Sequence, residues 1–194
     1  LHLAYLVAGF RPGDEVITSP NTFVATANMI MVVGAKPVFG DIRSDTFNLD
    51  EKKLEPLITK NTKAIVPVDF AGQPAEIRAI KKIARKHKLL VIEDAAPSLG
   101  AMYRGRRVGS LSDMTIFSFH AVKTIATGEG GAVLTNSKSF YQKLLLLRSH
   151  GVVKDKHGFN IMTDLGFNYR LTEAQAALGI SQLKRIGSFL KKRR

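Results

Sequence analysis

The sequence contains no cysteine and only five histidines. The absence of cysteine excludes a disulfide framework, a thiolate metal site and a cysteine nucleophile. The histidines do not fall at the spacings of metal ligands, and we therefore expect no metal centre. They are His2, His87, His120, His150 and His157.

Long apolar stretches are also absent. No run has the length that a membrane-spanning helix needs, and no segment has the pattern of a signal peptide. We therefore expect a soluble cytoplasmic protein with no membrane partner. With 194 residues, of which 45% are hydrophobic, the chain is long enough for one domain or a large part of one.

Acidic residues are few, with 16 Asp and Glu against 29 Lys and Arg, and the formal net charge is +13. Such a balance favours an anionic partner, either nucleic acid, phosphate or a nucleotide-linked substrate. The basic residues are spread over a helix face, a turn and the chain end, at "KKIARKHK", "YRGRR" and "LKRIGSFLKKRR". No basic motif is interleaved with aromatic residues, so we expect no nucleic-acid partner.

Short β-branched runs alternate with helical patterns along the chain, which predicts parallel strands joined by crossover helices. The predicted strands are "EVIT" (15–18), "KPVFGDI" (36–42), "KAIVPVDF" (63–70), "LLVIEDA" (89–95), "MTIFSFH" (114–120) and "GAVLTN" (131–136). The predicted fold class is therefore α/β, with a mostly parallel central sheet and helices on both faces.

Two helices are predicted in detail. Residues 73–87 place Ile77, Ile80, Ile83 and Ala84 on one face, with Pro74 suited to the first turn. Residues 171–186 begin with Thr172 and Gln175 at the spacing of a capping box. The chain also starts within a helical pattern, "LHLAYLVAGF", that no capping residue precedes.

The carboxyl ends of parallel strands are where ligands bind in such a sheet. Asp94 ends one predicted strand, Lys123 follows another, and Phe23 lies at the predicted start of a helix after the first. A carboxylate, an amine and an aromatic ring suit pyridoxal phosphate, a flat cofactor with a protonated ring nitrogen. Taken singly, Lys123 could be a solvated turn residue, Asp94 a helix cap and Phe23 a core residue.

Two neighbouring features allow more than one interpretation. His120 could contact the cofactor or substrate, or it could be an ordinary histidine at a strand end. The "GEGG" segment (128–131) could hold a phosphate, but a tight turn that allows close backbone packing is the interpretation we favour.

Four segments together resemble the DegT/DnrJ/EryC1/StrS family of pyridoxal-phosphate-dependent sugar aminotransferases, a branch of fold type I. They are "GDEVITSPNTFVATAN" (13–28), "VIEDAAPSLGAMYRGRRVGSLSDMTIFSFHAVKTIATGEGGAVLTN" (91–136), "RSHGV" (148–152) and "LGFNYRLTEAQAALGISQL" (165–183). The resemblance covers essentially the whole chain in order.

The resemblance implies a role for each matching residue. Lys123 matches the lysine that forms the Schiff base, Asp94 the carboxylate that pairs with the pyridine nitrogen, and Phe23 the residue stacked on the ring. Ser118 matches a hydroxyl that binds the cofactor phosphate, and Asn168 matches a residue supplied to that phosphate across a dimer interface.

The implied activity is transfer of an amino group from an amino acid, by analogy L-glutamate, to a keto-sugar linked to a nucleoside diphosphate. The motifs look most like those of enzymes that aminate 4-keto-6-deoxy-hexoses for surface glycans, including the pseudaminic acid branch. The resemblance also implies a homodimer. Arg148 and Arg170 are candidates for the diphosphate, and both could equally be interface or surface residues.

Three departures from the family pattern are expected to matter. Pro97 stands where the family usually has His or Gln, which can hydrogen-bond the cofactor's phenolic oxygen. The family's phosphate-binding turn should lie before Leu1, and its small domain should follow Arg194. We therefore expect residues 1–194 to be an incomplete cofactor-binding large domain.

Two alternatives to the aminotransferase remain open from the sequence. The chain could be a truncated, non-catalytic remnant that acts at most as a partner subunit. It could also belong to a dehydratase branch of the family, but that branch replaces the lysine with histidine, and Lys123 counts against it.

Overall fold

A computed structural model describes residues 1–193 of the protein. The six α-helices are α1 (His2–Ala8), α2 (Ala25–Val32), α3 (Ile77–Lys86), α4 (Lys138–Arg148), α5 (Glu173–Lys184) and α6 (Ile186–Arg193). The strands are β1 (Glu15–Thr18), β2 (Lys36–Phe39), β3 (Thr62–Val66), β4 (Leu90–Asp94), β5 (Met102–Tyr103), β6 (Arg106–Arg107), β7 (Met114–Ser118), β8 (Gly131–Leu134), β9 (Val152–Lys154) and β10 (Asn160–Met162).

Six of these strands form one sheet in the order β2-β1-β3-β4-β7-β8. The first five run parallel, and β8 alone is antiparallel, paired with β7. The remaining strands form two small hairpins, β5-β6 and β9-β10. All six predicted strands therefore lie in the central sheet, and the prediction of a mostly parallel α/β fold is confirmed.

Helices cover both faces of this sheet. On one face, Val16, Val66 and Ile92 belong to a core cluster with residues of α1, α2 and α4. The strand neighbours of these residues, Ile17, Ile65 and Val91, belong to a second cluster with residues of α3. Successive strand residues point to opposite faces of the sheet, and helices cover both faces, so the residues of both sets are buried. The strands are therefore continuous apolar runs in the sequence.

Several strands are shorter than predicted. Their backbone hydrogen bonds to the neighbouring strand end before the run of apolar residues ends. The predicted strand 36–42 ends at Phe39, before Gly40, and the predicted strand 63–70 ends at Val66, before Pro67. Proline has no N–H for the ladder, although Val68 makes one further bridge to Asp94. The connection from β4 to β7 also carries the β5-β6 hairpin where a crossover helix was expected.

The amphipathic face predicted for α3 is confirmed, since Ile77, Ile80 and Ala84 are buried. The prediction that Pro74 lies in the first turn of this helix was wrong, because the N-cap is Glu76 and Pro74 lies two residues before it. Helix α4, with Ser137 as its capping residue, was not predicted.

The capping box of α5 is present, with both the Thr172 and the Gln175 side chains engaged. The helix predicted over residues 171–186 ends at Lys184, with Arg185 as its C-cap, and α6 starts separately at Ile186. Within residues 1–193, every helix is too short or too polar to cross a membrane.

Candidate active site

A cavity of about 710 Å³ opens at the carboxyl edge of the sheet, beside the ends of β4 and β7. Four of the five predicted site residues line it, namely Phe23, Asp94, Ser118 and Lys123. These residues lie far apart in the sequence, and the parallel sheet brings them together because the carboxyl ends of β4 and β7 meet at one edge.

Lys123 lies in the turn that joins β7 to β8. The turn is held by backbone hydrogen bonds, including one from the Lys123 N–H to the His120 carbonyl at 2.9 Å. Lys123 is half-buried, and among residues 1–193 it forms no ion pair. A lysine that lines a cavity without a structural ion pair has its amine available for chemistry.

Asp94 ends β4 and is 4% exposed. Its Oδ2 accepts a hydrogen bond of 2.7 Å from the Thr26 hydroxyl, and its Oδ1 accepts one of 3.2 Å from the Ala96 N–H. Each carboxylate oxygen thus accepts a hydrogen bond from one donor. The carboxylate is held at the cavity wall with no lysine or arginine paired to it among residues 1–193.

Phe23 lies two residues before α2 begins at Ala25, close to its predicted place at the helix start. Its side chain is 78% exposed and lines the cavity. A phenylalanine exposed to this extent is not a core residue, so the packing interpretation is wrong. The ring is available to a ligand in the cavity.

Ser118 is the last residue of β7, and its Oγ accepts a hydrogen bond of 3.3 Å from the His120 N–H. The imidazole of His120 lies 3.7 Å from the Glu129 carboxylate, from Nε2 to Oε1. Both side chains are exposed at the cavity mouth.

The "GEGG" segment is a bend that leads into β8, and it packs closely against neighbouring backbone, as we favoured. A Cβ on Gly130 would lie 2.6 Å from the Thr127 hydroxyl, and one on Gly131 would lie 2.7 Å from the Phe117 carbonyl oxygen. Both glycines line the cavity. Their lack of a side chain lets β8 approach β7 closely beside Lys123.

The remaining candidates lie elsewhere. Arg148 and Arg170 line a second cavity, of about 620 Å³, which shares Gly130 and Gly131 with the first. Asn168 is exposed, pairs with Ser149 through an isolated β-bridge, and is not among the residues that line either cavity. A role for Asn168 in a site of its own chain therefore has no support in this geometry.

The sequence analysis missed the polar residues behind the cavity wall. Thr26 is 1% exposed and donates to Asp94, and its own hydroxyl is 3.0 Å from that of Thr22. Burial, and then the Asp94 charge, raise the pKa of the Tyr5 hydroxyl well above 10, so Tyr5 stays a neutral donor. The "TFVAT" spacing places Thr22 and Thr26 one helical turn apart, but no local pattern shows that Asp94 is the partner.

These residues fit pyridoxal phosphate in size and in donor chemistry. The cavity volume lies within the range of small-molecule sites, and it combines an acceptor-only carboxylate, an open aromatic ring and a free amine. Pro97 also lines the cavity, and its side chain has no donor for a phenolic oxygen. The residues therefore fit the cofactor at its ring nitrogen and at its ring face, and Lys123 supplies the amine.

The mostly parallel sheet with helices on both faces is an α/β fold, and the solved structures that share it are aminotransferases. The whole chain, residues 1–194, matches the DegT/DnrJ/EryC1/StrS aminotransferase family. The protein belongs to this family, as its motifs predicted.

Three known proteins illustrate the relationship. The UDP-4-amino-4,6-dideoxy-N-acetyl-beta-L-altrosamine transaminase of Campylobacter jejuni is 48% identical over 100% of this chain and 52% of its own length. The solved structure of Helicobacter pylori PseC, an aminotransferase in the biosynthesis of pseudoaminic acid, has a TM-score of 0.90 and 41% identity over 96% of this chain and 52% of its own. A Streptococcus pneumoniae protein described as a sugar aminotransferase, solved in its PMP form, has a TM-score of 0.92 and 32% identity over 99% of this chain and 56% of its own.

The chain spans about half the length of the relatives it matches. The family and the fold are shown for these residues.

Proposed function

We propose that the protein is a pyridoxal-phosphate-dependent aminotransferase that acts on a nucleotide-linked keto-sugar. The observation that carries the proposal is the meeting of Phe23, Asp94, Ser118 and Lys123 in one cavity of a chain that matches a sugar aminotransferase family throughout. The solved relative in its PMP form supports the cofactor assignment.

When bound, pyridoxal phosphate supplies an electron sink that stabilises negative charge on the carbon being deprotonated. Asp94 would hold the ring nitrogen protonated, because its ionised carboxylate accepts a hydrogen bond from an N–H. Phe23 would cover one face of the ring, and Ser118 would donate to the phosphate. These are the roles that the family resemblance predicted for the three residues.

Lys123 would carry the cofactor and then act as the acid and base. Its amine would remove a proton from the α-carbon of the amino acid and would later donate one, so that a single nitrogen would serve as both base and acid. The amino acid would give up its amino group, take its new carbonyl oxygen from water and leave as a 2-oxo acid. The keto-sugar then loses its carbonyl oxygen as water and gains the amino group and a hydrogen.

The substrate assignment follows from the relatives. The Campylobacter jejuni enzyme is named for a UDP-linked 4-amino-4,6-dideoxy sugar, and PseC acts in pseudoaminic acid biosynthesis. We therefore assign a 4-keto-6-deoxy sugar nucleotide as acceptor and L-glutamate as donor, in a pathway for a surface glycan. The net charge of +13 suits a diphosphate substrate.

We further propose that the protein functions as a homodimer. Large exposed apolar side chains are concentrated in residues 153–183, here called the exposed apolar segment. Its members are Val153, Phe159, Ile161, Met162, Leu165, Tyr169, Leu171, Leu178, Ile180 and Leu183. So many exposed apolar residues indicate a surface that another molecule covers. Asn168 lies within this segment, where it could reach the site of a second copy.

The experiment uses L-glutamate and a UDP-linked 4-keto-6-deoxy-hexose and measures both 2-oxoglutarate and the amino sugar. We expect the two products in equal amounts. Lys123→Arg keeps the charge but not the chemistry, and we expect it to lower kcat by roughly 100-fold or more. Lys143→Arg, an exposed residue of α4 outside both cavities, is the matched control and should leave the rate unchanged.

Two results would contradict the proposal. Wild-type protein that binds the cofactor but consumes no glutamate would favour the non-catalytic remnant. Release of a deoxygenated sugar with no amino group incorporated would favour the dehydratase.

A further inference from the structure

Two threonine hydroxyls form a chain that ends on the Asp94 carboxylate. Thr22 and Thr26 Oγ1 atoms are 3.0 Å apart, and Thr26 Oγ1 is 2.7 Å from Asp94 Oδ2. Thr26 lies in the first turn of α2, and Asp94 lies at the end of β4. The chain therefore connects the segment that carries Phe23 to the carboxylate on the other side of the cavity.

The chemistry of the groups fixes the direction of these hydrogen bonds. An ionised carboxylate only accepts, so the single hydroxyl proton of Thr26 is donated to Asp94. The Thr26 oxygen is then free to accept, and the Thr22 hydroxyl donates to it. The resulting order, from Thr22 to Thr26 to Asp94, polarises both hydroxyls toward the negative charge.

The first turn of α2 is itself held in place. The Tyr5 hydroxyl donates to the Thr26 carbonyl at 3.3 Å, and the Thr26 N–H donates to the Phe23 carbonyl at 3.2 Å. Tyr5, Thr26 and Asp94 are all less than 5% exposed. Water does not compete for these hydrogen bonds, so a change at Thr26 acts directly on the carboxylate.

We propose that Thr26, aligned by Thr22, is a positioning residue that holds the Asp94 carboxylate in a single orientation at the cavity wall, as an acceptor for the ring nitrogen of the cofactor. This inference rests on the proposed function. Ala96 and Thr26 each occupy one carboxylate oxygen and together fix the plane of the group. The cofactor then meets a preformed acceptor and does not have to reorient it.

A purely structural role for Thr26 makes different predictions. If the hydroxyl only satisfied a buried polar group, its loss would lower stability and leave the state of the bound cofactor unchanged. The decisive readout is therefore the protonation of the ring nitrogen, which the ¹⁵N chemical shift of pyridoxal phosphate labelled at that atom reports directly.

The experiment compares wild type with Thr26→Val, Thr26→Ser and Thr22→Val. Valine keeps the shape of threonine but removes the hydroxyl, and serine keeps the hydroxyl. Thr18→Val is the control, because Thr18 is fully buried, donates to the Val66 carbonyl and does not line the cavity. Each protein is titrated with labelled pyridoxal phosphate, and its thermal unfolding is recorded in parallel.

We expect Thr26→Val to weaken cofactor binding by about tenfold or more, since the lost hydrogen bond is to a charged group. We also expect its ¹⁵N signal to shift toward that of the unprotonated ring, with a smaller shift for Thr22→Val. Thr26→Ser should restore both properties, and Thr18→Val should change only the melting temperature. Crystals of the ligand-free Thr26→Val protein should show Asp94 in more than one conformer.

The inference is overturned if Thr26→Val and Thr26→Ser bind the cofactor equally well and with the same ¹⁵N shift. It is also overturned if Asp94 keeps a single conformer in the Thr26→Val protein. Failure of wild-type protein to bind pyridoxal phosphate would overturn the proposed function itself, so the two failures are distinguishable.

Discussion

At the scale of single residues, three buried carboxylates lie at or near the ends of β3 and β4. Asp94 lines the cavity, whereas Asp69 and Glu93 are fully buried and do not line it. Asp69 accepts a hydrogen bond of 3.0 Å from the Ala75 N–H and lies 2.5 Å from the Ser98 hydroxyl. Burial, and then the charge of Glu93, raise the pKa of Asp69 from 3.8 to about 8.

The raised pKa predicts a stability that falls as the pH rises. The folded protein retains a proton on Asp69 that the unfolded chain releases above its ordinary pKa of 3.8. The free energy of unfolding should therefore decrease as the pH rises between about pH 5 and pH 8. Asp69→Asn cannot ionise and keeps both hydrogen-bonding positions, so its curve should be flatter. Urea unfolding across this range measures the difference.

Asp45→Asn provides a control, because the pKa of Asp45 is shifted in the direction opposite to that of Asp69. The Arg43 hydrogen bond lowers the pKa of Asp45 to about 2, so Asp45 is ionised in both states above pH 5. Its substitution should add a constant offset between about pH 5 and pH 8 and leave the slope unchanged. Parallel curves for wild type and Asp69→Asn would contradict the assignment of the slope to Asp69.

At the scale of elements, the turn between β7 and β8 matters most for the site, because it carries Lys123. The turn closes through Gly128, Gly130 and Gly131, and the last of these leads directly into the antiparallel ladder. Gly128 has a φ of 79°, and a Cβ at this position would have no other atom within 4 Å. A Cβ on Gly131, in contrast, would meet the Phe117 carbonyl at 2.7 Å. The two glycines are therefore required for different reasons.

This difference predicts unequal costs for alanine. Gly128→Ala should lose about 1 kcal/mol of stability, because only the left-handed backbone is unfavourable. Gly131→Ala should lose about 2 kcal/mol or more, because β8 must move away from β7. It should also reduce labelling of Lys123 by the cofactor. Urea unfolding with the m-value monitored gives the comparison, and equal losses would contradict the close approach of the two strands.

The elements could be predicted from the sequence where packing follows local pattern. The six central strands and the apolar face of α3 were predicted because burial on both faces gives continuous or periodic apolar runs. Strand ends were predicted too long, since Gly40 and Pro67 end the ladder while apolar residues continue. Helix α4 was missed because its four consecutive leucines do not give a clear helical period.

At the scale of the whole molecule, a charge of +13 opposes association while the exposed apolar segment favours it. Repulsion between like-charged copies weakens as salt screens the charges, whereas the burial of apolar side chains does not depend on that screening. The balance between the two should therefore depend on ionic strength.

We predict a homodimer that becomes tighter as salt is raised from low to physiological concentration. Leu165→Asp should dissociate it, because Leu165 is 71% exposed and its loss costs the monomer little. Met102→Asp, at an exposed site in β5 outside the exposed apolar segment, is the control. Sedimentation velocity at several salt concentrations measures the association. A monomer at all salt concentrations, or equal effects of both variants, would contradict the prediction.

The site could be predicted only in part, and the reason lies at this scale. Phe23, Asp94, Ser118 and Lys123 were found because they follow strand ends or match family motifs. Thr26 could not be connected to Asp94, because 68 residues separate the two and only the packing of α2 on the sheet brings them together.

Above all, the proposed chemistry requires Lys123 to be the amine that carries the cofactor. To test this, the protein is incubated with pyridoxal phosphate and reduced with borohydride, and the modified peptide is mapped by mass spectrometry. We expect saturable labelling that is confined to Lys123 and disappears in Lys123→Arg. No labelling, or labelling scattered over surface lysines, would show that Lys123 does not have this role.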